Sequence, residues 1–239
     1  MRAAAAALTF VLAASAAWAA IDYAAADHLY WHRYDGGNLA LCVKALDGLL
    51  AGAPDDPGLL WRKGRALVRL GEEQKKKSDK LADYLQAEDL LKRASEADSK
   101  SVDAHFWYGV AMGRRGETQG ILHSLFLIKP IRREMSEVVA LDPNHGGAHR
   151  VLGEILWQVP GFAGGDKKKA LEEYETAVRL DPRYTANYQV LAQAYLYFGR
   201  TDDAVRVLKS VAAVKDPEDP AQYPEDAADA AKLLAKLGR

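Results

Sequence analysis

The feature that most constrains this chain is that it repeats itself. Small and large residues recur in register four times: Leu60, Gly64, Leu67 and Gly71; His105, Tyr108, Gly109, Met112 and Gly116; His149, Leu152, Gly153 and Leu156; Tyr188, Leu191, Ala192, Tyr195 and Gly199. A second set follows each: Ala87, Leu91, Ala94 and Ser99; Ile131, Met135, Val138 and Pro143; Ala170, Tyr174, Ala177 and Pro182; Ala204, Leu208 and Val211. Spacings of three and four residues within each set predict two helices per unit. A two-helix unit cannot bury its apolar face alone, so neighbouring units must stack. The small residues Gly64, Gly109, Gly153 and Ala192 predict close approach within each pair, with large residues filling the facing holes.

The units end at Ser99, Pro143, Pro182 and Pro217, after a first boundary at Pro57, so they are 42, 44, 39 and 35 residues long. The period is irregular and tightens toward the C-terminus. In Leu141-Asp142-Pro143 and Leu180-Asp181-Pro182 the proline stops a helix and turns the chain. The first three units carry extra residues, which the pattern places between their helices; in the third they are Gln158 to Gly165, after which Asp166 is suited to cap the second helix. Ala186 to Val211 has the offsets of a complete tetratricopeptide repeat. The expected fold is all-α: a right-handed solenoid of about four irregular tetratricopeptide-like helix pairs over residues 58–217. An N-terminal helical cap (20–57, with a helix from Leu39 to Leu50) and a C-terminal capping helix (218–239, with a helix from Pro224 to Leu237) cover its ends.

The opening residues are Met1-Arg2 followed by an uncharged, Ala-rich run that ends in small residues around Ala17-Trp18-Ala19. This pattern predicts a signal peptide over residues 1–19, cut near Ala19, and a periplasmic or secreted product. Cys42 is the single cysteine, so the chain has no intrachain disulfide and no thiol near the cut to carry a lipid. Lys plus Arg number 32 and Asp plus Glu 33, which gives no one-signed field to gather nucleic acid.

The stretch His105 to Pro217, together with Leu60-Trp61-Arg62-Lys63-Gly64-Arg65-Ala66, Ala104-His105-Phe106-Trp107-Tyr108-Gly109 and Ala148-His149-Arg150-Val151-Leu152-Gly153, resembles the T component (TatT) of tripartite ATP-independent periplasmic (TRAP) transporters. The repeat core is also similar to that of the regulators of microtubule dynamics. The first resemblance implies a helical scaffold with an apolar pore or groove that assists a solute-binding protein. TatT is a lipoprotein, whereas no cysteine stands where such an anchor needs one.

The first helix of each pair is expected to line the concave side. This assigns to the groove Trp61, Arg65 and Arg69; Phe106, Val110 and Arg114; Arg150, Glu154, Trp157 and Gln158; and Gln189, Gln193 and Tyr197. Aromatics there suit an apolar or extended-peptide guest, and Arg65, Arg114 and Arg150 suit a carboxylate or phosphate. The apolar run Ile121 to Ile128, before Lys129-Pro130, is either a core extension or a partner- or membrane-touching lip.

His28 and His32, and His145 and His149, are four apart, but neither pair has an assured third ligand, so no metal and no cofactor are expected. Gly161 to Lys167 departs from a phosphate loop at Asp166 and lacks a following Ser or Thr. Cys42 sits in an apolar helix, as a buried small side chain would. No nucleophile, base and orienting group can be assembled. The expected function is therefore a non-catalytic periplasmic scaffold binding a protein partner, such as a transporter's solute-binding protein. A binder of a small amphipathic or anionic ligand, such as a lipid, is the second reading, and a metal-dependent enzyme the third. Homo-oligomerisation is left open.

Overall fold

The computed structural model describes residues 22–239, so the expected signal peptide lies outside the described residues. Among the described residues eleven α-helices follow one another: α1 (Ala24–Trp31), α2 (Asn38–Gly52), α3 (Pro57–Glu73), α4 (Lys77–Ala97), α5 (Val102–Gln119), α6 (Ile121–Leu141), α7 (Gly146–Gln158), α8 (Lys167–Leu180), α9 (Ala186–Tyr197), α10 (Thr201–Val211) and α11 (Tyr223–Lys236). No strand occurs among the described residues. No described helix is long and apolar enough to cross a membrane. Extensive face-to-face packing makes α3–α4, α5–α6, α7–α8 and α9–α10 the four pairs. Helices α1 and α2 precede them and α11 follows.

Helix starts are set locally. Asp56, with Pro57 behind it, accepts from the Leu59 N–H, Ser101 from Ala104, His145 from Ala148, and Asp166 from Lys168 and Lys169. Each such cap stabilises its helix by about 1 kcal/mol. Small residues allow the pairs to close: a Cβ on Gly64 would stand 2.4 Å from Leu91 Cγ, and one on Gly153 2.6 Å from Tyr174 Cε1. His105 and His149 occupy the same repeat position. Each ties its own pair together through Nδ1, to Glu134 and Glu173, both at 2.7 Å. One core runs through α3 to α7, around Leu60, Leu91, Met135 and Val138. A second joins α8 to α11, around Tyr174, Leu191 and Leu208. A smaller cluster of Tyr30, Cys42, Leu46 and Leu59 seats the N-terminal helices.

One expectation is corrected. The extra residues of the first two units do not lie between helices; they lengthen α4 and α6, each 21 residues long. Helix α6 runs through Pro130, whose missing N–H and ring-imposed restriction suggest a break in sequence, and the apolar run is the helix's own first turns. Gly120 alone joins α5 to α6, at φ 111°, a backbone conformation that residues with a Cβ rarely adopt. Only in the third unit does an insert separate the helices, and there Gly161–Ala163 forms a short 3-10 turn.

The stack also curves until its ends touch. Arg33, in the turn after α1, donates to Asp219, just before α11, at 2.6 Å across 186 residues of sequence. Tyr34 donates to Gln222 beside it at 3.1 Å. Both Arg33 and Asp219 are buried. The concave face is therefore spanned by a clasp between the caps.

Candidate binding interior

Inside the clasp lies a polar chamber of about 450 Å³, walled by Arg69 of α3, Arg114 of α5 and Arg150 of α7, with Glu72, Tyr184, Tyr34 and Gln222. Arg69 and Arg114 are equivalent residues of successive first helices, each five residues after a close-approach glycine (Gly64, Gly109), whereas Arg150 lies three residues before Gly153 and completes the ladder from an earlier turn of its helix. Each is matched by a carboxylate. Arg69 pairs with Glu72 at 3.0 Å, Arg114 with Glu72 at 2.8 Å and Glu117 at 3.1 Å, and Arg150 with Glu154 at 2.5 Å. Burial opposes the charge on Glu72, but Arg69 and Arg114 outweigh it and hold its pKa below the ordinary carboxylate value. Burial likewise opposes the charge on Arg150, and neighbouring Glu154 and Tyr184 more than offset it. The Nε–H groups of Arg114 and Arg150 remain buried without an aligned acceptor; Arg114 Nε is close to Glu72 as a charge but out of line for a hydrogen bond.

Against this ladder opens an apolar trough of about 350 Å³. Its floor is Val110, Met112, Gly113 and Val151, one wall is Leu125, Leu127, Ile128 and Ile131 of α6, and the other is Ile155, Val159 and Pro160. Arg114, Arg150 and Glu154 line it too, so the trough is apolar along its length and charged at one side. A smaller space of about 180 Å³ continues past Arg114 and Glu154 to Trp157, Gln158, Tyr174 and Gln193.

Of the residues assigned to the groove from sequence, Arg69, Val110, Arg114, Arg150, Glu154, Trp157, Gln158 and Gln193 border these three spaces. Arg65 does not. It is buried against the N-terminal cap, pairing with Asp27 at 2.9 Å and stacking 3.6 Å from the centre of the Tyr30 ring. Trp61 packs with it, 4.8 Å from its guanidinium. Phe106 is buried beneath the start of α7, 4.6 Å from the His145 ring. Tyr197 sits at the outer edge of the third space, against Trp157 at 5.1 Å, with the Lys167 ammonium over both rings. Gln189 borders none of the three. The sequence reading also treated Arg114 and Arg150 as open anion receptors, whereas each is already paired along its own helix.

Sequence reasoning missed Glu72 and Glu117, although each lies three residues after an assigned arginine on the same helix, a legible spacing. It also missed Arg33, Tyr34, Tyr184, Asp219 and Gln222, which only the curvature of the stack brings inward. Cys42 is buried and donates to the Ala26 carbonyl at 3.3 Å, and burial raises its thiol pKa to about 11, which suits packing rather than reactivity. His145 and His149 are occupied as a cap and an interhelix tie; the His28 and His32 rings lie 4.5 Å apart.

The comparisons agree with this architecture. A thermophilic tetratricopeptide-repeat protein of Thermus thermophilus superposes with a TM-score of 0.62 at 17% identity, over 84% of this chain and 98% of that one, which shows the fold. Regulator of microtubule dynamics protein 1 of Pongo abelii is 28% identical over 59% of this chain, and regulator of microtubule dynamics protein 3 of Bos taurus 26% identical over 61%. This chain spans 51% and 30% of those proteins' lengths. The family model described as regulator of microtubule dynamics protein 1-3 matches residues 22–160, the N-terminal cap, the first two helix pairs, α7 and the start of the insert that follows it. The second of the two resemblances read from the sequence is thus the one that a family match supports, and the chain belongs to the regulator of microtubule dynamics protein 1-3 family.

Proposed function

We propose that this interaction scaffold is non-catalytic and uses its interior to hold a narrow amphipathic guest, an aliphatic chain ending in a hydrogen-bond-accepting group such as a carboxylate or phosphate ester. One observation carries the reading: the apolar trough and the polar chamber share Arg114 and Arg150. A chain lying in the trough brings its polar end to Arg114 and Arg150, where the Arg150 Nε–H has no acceptor, and a buried donor of this kind favours a guest that satisfies it. The second reading is an extended segment of a protein partner, favoured by the tetratricopeptide-like fold, whose repeats form binding surfaces. The clasp across the concave face leaves room for a strand-like segment rather than a folded domain, and a transporter's solute-binding protein would have to engage the outer surface. Export after a cut near Ala19 belongs to the same proposal and is checked by the N-terminal sequence of the secreted protein.

Gly113 provides the test. A Cβ there meets nothing closer than Ile131 Cδ1 at 4.0 Å, so Gly113→Phe fills the trough from its floor without colliding with the backbone. Native mass spectrometry of the full chain with palmitate as probe is expected to show a one-to-one complex that Gly113→Phe abolishes. Palmitate retained by a folded Gly113→Phe protein would remove the trough from the account. Binding of an extended apolar peptide with no palmitate complex would favour the second reading.

A further inference from the structure

The first turns of α6 are built for a surface that the described residues do not supply. Ile121, Leu122 and Phe126 are 70%, 69% and 83% exposed, a density of bare apolar side chains that soluble surfaces seldom carry without a use. Leu122, Phe126, Lys129 and Arg133 follow helical spacing along one exposed face, so the tip is apolar and the next turns are basic. Residues 118–133 contain Lys129, Arg132 and Arg133 and no Asp or Glu. Lys129 and Arg132 make no ion pair among the described residues, and Arg133 pairs only with its neighbour Glu134.

The opposite wall of the trough repeats the arrangement. Val159 and Pro160 line it across from Ile121 and Leu125, and two residues further on Phe162 is 93% exposed. Exposed Lys167, Lys168 and Lys169 follow. Two prongs, each an apolar tip backed by basic residues, therefore flank the mouth of one apolar trough.

We propose that these prongs seat the protein on an anionic bilayer, with Leu122, Phe126 and Phe162 entering the boundary between headgroups and acyl chains and Lys129, Arg132 and Arg133 meeting lipid phosphates. An apolar protein groove would accept the tips but gains nothing from the basic side chains behind them, whereas an anionic membrane rewards both. The inference stands on the prongs alone and does not require the trough to hold a guest.

Flotation of the full chain with phosphatidylcholine vesicles, with and without phosphatidylglycerol, tests it. Binding is expected to need the anionic lipid and to weaken as salt rises. Each basic residue near the surface is worth roughly fivefold in affinity, so Lys129→Glu with Arg132→Glu should weaken binding by more than about 25-fold. Phe126→Asp with Phe162→Asp should abolish it, and because all four residues are exposed, the circular dichroism and melting temperature of both variants should match the parent. Binding indifferent to phosphatidylglycerol, or unchanged in both folded variants, would overturn the proposal. So would a concentration-dependent dimer, lost in the Phe126→Asp variant, in a protein that ignores vesicles.

Discussion

The pairs α5–α6 and α9–α10 are built on one plan and end differently. In α9–α10 the helices are 12 and 11 residues long, turn through Gly199 at φ 74°, and bury Leu191, Ala192, Tyr195, Ala204, Leu208 and Val211, leaving no length beyond the seam. In α5–α6 the helices are 18 and 21 residues long; Ile131, Met135 and Val138 form the same kind of seam, and the ten residues before Ile131 overhang it. That overhang makes one wall of the trough and its exposed tip. A repeat trimmed to its packing seam builds the frame, and length in excess of the seam builds a cavity.

Deleting side chains from the two regions should separate these roles. Leu208→Ala, in the enclosed seam of the short pair, is expected to destabilise the fold by about 4 kcal/mol, while Leu122→Ala in the overhang should stay within about 0.5 kcal/mol of the parent in chemical denaturation. Next in size is the clasp. Arg33→Ala leaves buried Asp219 with the more distant Arg69 guanidinium at 3.7 Å and the Gln222 N–H at 3.1 Å, and should cost about 3 kcal/mol by the same measurement. Conversely, Gly113→Phe adds apolar contact in open space and improves helix propensity, so its melting temperature should equal or exceed the parent's.

The smallest expected effect is on pH dependence. Glu218 lies in the strap that reaches the clasp, tied by its N–H to the Arg183 carbonyl at 3.1 Å. Burial, with Asp181 beside it, raises its carboxyl from 4.5 to about 7 against the opposing pull of Arg183. The folded state therefore holds this proton more tightly than the unfolded chain. Its contribution to stability is greatest below about pH 4.5, declines as pH rises to about 7 and is level above. Glu218→Gln should remove that part of the slope, seen as a smaller difference between denaturation midpoints at pH 4.5 and 7.5 than in the parent.

The helix pairs were legible because packing repeats: Gly64, Gly109 and Gly153 mark the same close approach each time, and Arg69 and Arg114 follow from the same register, whereas Arg150 joins them from a different repeat position. Arg65 was misplaced because repeat position alone does not say that Asp27 and Tyr30 of the cap would capture it. Phe106 was misplaced because a ring at a groove position turns inward wherever a neighbour as small as Gly147 leaves room, here 3.0 Å from an added Cβ. The meeting of Arg33 with Asp219 depends on curvature summed over every pair, which no local pattern encodes.

Hydrogen–deuterium exchange of the full chain with and without palmitate tests most directly whether the guest belongs to the long pair. Added protection is expected in residues 109–117, 121–131 and 150–160, with residues 186–211 unchanged. Protection centred on α9 and α10, or none at palmitate concentrations that saturate the complex, would contradict it.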